Sequence, residues 1–182
     1  MELRPIIFTA LFAALTAVGA FLQIPMKPVA ITLQFLFTAM AGVLLGRRFG
    51  ALSQLVYVAL GLVGLPVFTN GGGLGYVFQP SFGFLLGLIP CAWVIGYLSR
   101  KREGTVWIAV SCCAGLAVLY LIGVPYMALI LNVYLGKGLG LKAILMAGMI
   151  PFLPGDAIKI AAASAVCPVL RKRLCKFDEF CV

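Results

Sequence analysis

Histidine is absent from this chain, and carboxylates are nearly so: five acidic residues stand against fourteen lysines and arginines. Without imidazole the most versatile acid–base group and the commonest metal ligand are both missing. None of the six cysteines forms a C-x-x-C pair, so neither a zinc nor a haem site is expected, and no cofactor is implied. Four of them (Cys91, Cys112, Cys113 and Cys167) sit in apolar runs and read as small core residues. Cys175 and Cys181 lie near the C-terminal end, on the side assigned below to the cytoplasm, where disulfides are rare and palmitoylation is conceivable.

Charge of either sign is scarce. Charged residues make up 10% of the chain, where a soluble domain carries roughly 25%, and mean hydropathy is +1.14. From position 49 to 99 there is no charged side chain at all, a stretch long enough for two spans of about 20 residues with a loop between them. The apolar runs are continuous rather than alternating, which excludes a transmembrane β-barrel. The fold class is therefore all-α: a polytopic membrane protein with six transmembrane helices in one domain, 1–182. The spans fall at about 6–22, 31–46, 49–64, 82–98, 106–135 and 155–170. Gly123-Val124-Pro125 marks a break in the fifth, and the sixth has an apolar lead-in from Ala143. The first run leads straight into further spans, so it reads as a span and not as a cleaved signal peptide.

A net charge of +9 raises nucleic acid as a partner, but the distribution argues against it. Arg4, Arg47, Arg48, Arg100, Lys101, Arg102, Arg171, Lys172, Arg173 and Lys176 fall at one set of span ends; Lys27, Lys137 and Lys142 fall at the other. Such asymmetry is a topology signal and places both termini in the cytoplasm. Contact with membrane lipid is its secondary use.

Against this background Asp156 and Lys159 stand out. Asp156 is the only acid between Glu103 and Asp178, and Lys159 the only base between Lys142 and Arg171. Ionisable groups at membrane depth cost a few kcal/mol or more on contested scales, so they pair or bind something. Their i, i+3 spacing puts them on one helical face, and Pro154-Gly155 marks a helix start. Three readings remain open: a structural salt bridge, a ligand site, or acid–base chemistry. With no histidine and no second interior carboxylate, catalysis is the poorest of the three, and no catalytic residue is assigned. A channel needs a polar stripe across several helices, whereas this pair is a single spot.

Two connections on the side opposite the arginines differ in kind. Residues 23–30 carry Pro25, Lys27 and Pro28, an extended or turn-rich segment. Residues 65–80 read LPVFTNGGGLGYVFQP: three glycines beside Asn70, then aromatics and Gln79-Pro80. The spacing is not that of a phosphate-cradling loop. It reads as a plain connector or as a flexible lid over a small-molecule cavity. In the first span, small residues recur four apart at Ala10/Ala14, Ala13/Ala17 and Thr16/Ala20, a pattern that lets helices approach closely, either within the bundle or against another membrane protein.

Four stretches, in order along the chain, carry a resemblance: PVAITLQ (28–34), GLVGLPVF with NGGGLG (61–75), QPSFGFLLG (79–87) and PFLPGDAIK (151–159). They resemble the BioY family, the biotin-binding S components of energy-coupling-factor (ECF) vitamin transporters. Pro80, Gly83, Phe84 and Gly87 match that family's P-x-x-G-[FY]-x-x-G helix start. The resemblance implies a six-helix protein of the cell membrane that captures biotin from outside and is not an enzyme. Its implied partners are a transmembrane scaffold and two cytoplasmic ATPases, with Ala10, Ala13, Ala14 and Ala17 facing the scaffold. S components for other small vitamins are the nearest alternative.

Biotin is chemically compatible with the residues present. Its ureido group has two N–H donors and one carbonyl, its sulfur ring is apolar, and its valerate tail is anionic. Asp156 can accept from the ureido N–H groups; Lys159 can donate to the ureido carbonyl or offset the tail. Thr32, Gln34, Asn70 and Gln79 are candidates to complete the polar set, and Phe35, Tyr76, Phe78 and Phe82 to form the walls.

Overall fold

The computed structural model describes residues 3–101 and 104–175, with side chains to 173. Arg102, Lys176, Cys181 and the side chain of Cys175 lie outside the described residues. Helices dominate because the apolar runs are continuous and each can satisfy its own backbone polar groups in lipid. The helices are α1 (Leu3–Phe21), α2 (Gln34–Leu62), α3 (Phe82–Leu98), α4 (Thr105–Leu129), α5 (Leu141–Gly148) and α6 (Leu153–Cys175).

The 29 residues of α2 are not one rod. At Gly46 the backbone takes φ 78° and ψ −176°, a combination essentially reserved for glycine. The chain doubles back there: Gln34 bonds Tyr57, Thr38 bonds Gln54, and Gly50 packs against Gly42. These pairs are symmetric about position 46, so arms 34–45 and 47–62 run antiparallel. The two expected spans at 31–46 and 49–64 thus share a one-residue turn, flanked by Arg47 and Arg48. With both arms counted, α1, α2, α3, α4 and α6 cross the bundle six times. This is a multi-pass membrane protein, and its outward residues, such as Ile7, Leu11, Val18, Leu121 and Ile158, are large, apolar and exposed.

The expected break at Gly123-Val124-Pro125 is not there. Helix α4 continues through Pro125 and widens into a π-helical stretch at Ile130–Tyr134. Neighbouring helices and local π adjustment accommodate proline within membrane helices. The lead-in to the last span is the separate short helix α5. Helix α6 starts at Leu153, two residues before the expected point, with Pro154 in its first turn, where a missing N–H costs nothing.

Strands β1 (Gln23–Ile24) and β2 (Ile31–Thr32) pair antiparallel, Gln23 with Thr32 and Ile24 with Ile31. They close a small hairpin at the end of the bundle remote from Arg47. The 65–80 segment is a folded cap rather than a plain connector. Phe68, 1% exposed, anchors it against the Tyr57 and Tyr76 rings, and a 3-10 turn spans Leu74–Phe78. The opposite end gathers cations: Arg100 bonds the Leu45 carbonyl, Arg171 bonds the Ser99 carbonyl, and Lys101 lies 4.5 Å from the Tyr97 ring centroid.

Candidate ligand site

Asp156 and Lys159 form the ion pair their spacing implies. Lys159 Nζ lies 2.8 Å from Asp156 Oδ1, and the two residues are only 5% and 6% exposed. At such burial an isolated charge would be strongly unfavourable, and pairing with additional hydrogen bonds offsets much of that cost. The additional bond comes from α4: the Tyr120 hydroxyl donates to Asp156 Oδ2. Each carboxylate oxygen therefore has one donor and keeps a second lone pair, and the lysine retains two N–H bonds to give.

These groups open on a cavity of about 70 Å³. Six parts of the fold line it. The β-hairpin and the start of α2 supply Thr32, Gln34 and Phe35, the cap supplies Thr69 and Tyr76, and α3 with its N-cap residue supplies Ser81, Phe84, Leu85 and Leu88. Helix α4 adds Leu119 and Tyr120, and α6 with the residue before it adds Phe152, Asp156 and Lys159. Asp156 sits in the first turn of α6 and Arg171 in its last third. That separation is about 22 Å along the axis, so the cavity and the arginine cluster occupy opposite ends of the bundle.

The polar walls are tied down. Thr32 Oγ1 donates to Gln34 Oε1 at 2.9 Å, Gln34 Nε2 to the Tyr57 hydroxyl at 2.8 Å, and that hydroxyl to the Val67 carbonyl at 3.0 Å. Thr69 and Ser81 both bond the Tyr76 hydroxyl. A second set continues inward. Thr38 joins the Gln34 carbonyl to Gln54 Oε1, and Gln54 Nε2 donates to Thr16 on α1. Gln54 is fully buried, and the sequence reading passed over it.

Of the residues singled out from sequence, Asp156, Lys159, Thr32, Gln34, Phe35 and Tyr76 meet at this cavity. Asn70 and Gln79 lie farther out, in a wider cleft above it. Phe78 and Phe82 line neither space. Phe78 is 54% exposed and stacks on Tyr134, while Phe82 is buried against Tyr126. Helix phase explains the second case. Ser81, Phe84, Leu85 and Leu88 make an i, i+3, i+4, i+7 face towards the cavity, and Phe82 points off it. Gly83 lies on the far side, where a Cβ would run into Tyr126, whose hydroxyl holds the Val77 carbonyl at 2.6 Å.

On α1 the small residues divide. Ala10 and Ala14 are exposed, and Ala17 is half-buried. Ala13 is 4% exposed and belongs to the core, as do Thr16 and Ala20. The expectation that all four alanines face outward is therefore corrected: 10 and 14 project outward, whereas 13 follows the helix period inward.

Tyr120 is the functional candidate that sequence reasoning missed. A phenol in the middle of an apolar run needs a hydrogen-bond partner, but nothing local shows which residue supplies it.

The profile of the BioY family matches residues 1–176. A protein named "Probable biotin transporter BioY" from Lysinibacillus sphaericus is 44% identical over 173 residues, covering 94% of this chain and 86% of the relative. The "Biotin transporter BioY" of Thermotoga maritima is 37% identical over 171 residues, covering 93% and 97%. Among solved structures, the S-component for biotin from an ECF-type ABC transporter superposes with a TM-score of 0.83 at 27% identity, covering 94% of this chain and 92% of that one.

Proposed function

This chain belongs to the BioY family, and from that premise we propose that it is the substrate-binding subunit of a biotin-uptake system, a transport protein and not an enzyme. The observation that carries the reading is the buried Asp156–Lys159 pair, which opens on a polar-walled cavity at one end of the bundle. The second lone pairs of Asp156 accept from the ureido N–H groups, and the spare N–H bonds of Lys159 meet the ureido carbonyl. Phe35, Tyr76, Phe84 and Phe152 enclose the apolar sulfur ring. Biotin is the substrate here, and no cofactor takes part.

The arginine-rich end faces the cytoplasm by the positive-inside rule, which puts both termini inside and the cavity in the outer half of the cell membrane. Capture there leaves release and energy to other subunits. An ECF module, comprising a transmembrane scaffold and two ATPases, docks on the exposed Ala10–Ala14 face of α1. The chain itself works as a single membrane domain.

Isothermal calorimetry on the purified protein tests the substrate. Saturable biotin binding with one site per chain is expected. Tight binding of a different vitamin with no heat from biotin would move the protein to another S-component specificity while leaving its fold and membership intact.

A further inference from the structure

Above the inner cavity lies a cleft of about 590 Å³. The two spaces share Ala30, Thr69 and Ser81 in their walls, so they meet at that ring. Their chemistry differs. The inner space is electrically balanced, since Lys159 neutralises Asp156. The outer cleft carries Lys27 from the β-hairpin loop and Lys137 from the loop after α4, both exposed, with the amides of Gln23, Asn70 and Gln79 around them. Asp156 is the only carboxylate among the described residues, and it belongs to the inner space. Neither lysine has a salt-bridge partner among them.

Size and charge then divide the ligand. The inner cavity is much the smaller of the two, about 70 Å³ against about 590 Å³. A carboxylate pushed inward would also meet Asp156, a like charge, in a poorly solvated place. In the cleft it meets two cations and several amide donors while staying close to water.

Building on the biotin reading above, we infer that the cleft is a separate anion subsite. In it Lys27 and Lys137 hold the ligand's carboxylate while the uncharged head occupies the inner cavity. The subsite selects for amphiphilic acids whose head is neutral and hydrogen-bonding. It also draws such anions to the mouth before the head is seated, since charges at a rim act mainly on association.

The test compares biotin with biotinol, in which a hydroxymethyl group replaces the carboxylate, on wild type and on the Lys27→Gln/Lys137→Gln double variant in detergent at low salt. The double variant is expected to lose about tenfold in biotin affinity, the scale of two solvent-exposed charge contacts, and to keep biotinol affinity within about twofold. Added salt should weaken biotin on wild type and have little effect on the variant. Unchanged biotin affinity in the variant, or an equal loss for both ligands, overturns the subsite alone. Wild type that binds neither ligand overturns the biotin reading together with the subsite.

Discussion

Tyr120 on α4 donates its hydroxyl hydrogen to the Asp156 oxygen that Lys159 leaves free. One carboxylate thereby joins two helices and holds a cation at the wall of a cavity, and three side chains from different parts of the sequence act as a unit. The bond also fixes how the carboxylate is turned. With Oδ1 facing Lys159 and Oδ2 facing Tyr120, the remaining lone pairs are aimed before any ligand arrives, which lowers the ordering cost of binding.

Tyr120→Phe should therefore act on both stability and affinity. Losing a hydrogen bond to a charged group costs about 1 kcal/mol where membrane helices find alternative partners. Thermal melting in detergent should fall modestly, and equilibrium biotin binding should weaken several-fold because the carboxylate is free to turn. Full affinity in the variant would mean that Asp156 is oriented by Lys159 alone.

The pair itself can be separated into structural and ligand-binding roles by a double-mutant cycle. Asp156→Asn leaves a buried lysine without its partner, and Lys159→Met leaves a buried carboxylate without its cation. Each should cost about 3–5 kcal/mol if the remaining group stays charged. The double variant Asp156→Asn/Lys159→Met removes both charges and should recover most of that stability. Biotin binding should stay lost in all three variants. A double variant that is stable and still binds biotin would reduce the pair to a salt bridge.

The turn at Gly46 allows a prediction remote from the ligand. Gly46→Ala puts a Cβ into a backbone region that costs about 1–3 kcal/mol for other residues. That Cβ also lies 2.6 Å from the Arg100 guanidinium, which as a flexible side chain can move aside. The backbone term should dominate, so melting temperature falls while biotin affinity in the surviving folded protein is kept. An unchanged melting temperature would show that the arms of α2 turn some other way.

Much of this arrangement was legible in the sequence because lipid narrows the choices. Uncharged runs had to be helices, arginines had to mark one side, and an acid three residues before a lysine had to share a face with it. Arg47-Arg48 divided two spans correctly although the helix is nominally continuous, because the reversal needs only one glycine. Other features were hidden for identifiable reasons. Tyr120 lies 36 positions from Asp156, and nothing local in an apolar run distinguishes a phenol that reaches a carboxylate from one that fills a wall. Phe78 and Phe82 flank the cavity in sequence but are turned away by a 3-10 turn and by helix phase, while Phe84 is turned in. Pro125 reads as a helix breaker in water; packed among helices, it does not break α4.

The face of α1 offers a comparison between neighbours. Ala13 is packed within the bundle and Ala14 is exposed, one position and about 100° of helix apart. Ala13→Leu has to be accommodated in a packed core, where overpacking costs typically 1–3 kcal/mol, so it should lower the melting temperature of the isolated protein. Ala14→Leu adds bulk to an outward surface and should leave both melting and biotin binding unchanged. If that surface is where the scaffold docks, close helix approach through small residues is what the added side chain prevents. Ala14→Leu should then abolish co-purification with the ECF module and uptake of biotin by cells, while the isolated subunit still binds it. Uptake and co-purification at wild-type levels would remove the Ala10–Ala14 face from the interface and direct the search to another exposed helix face.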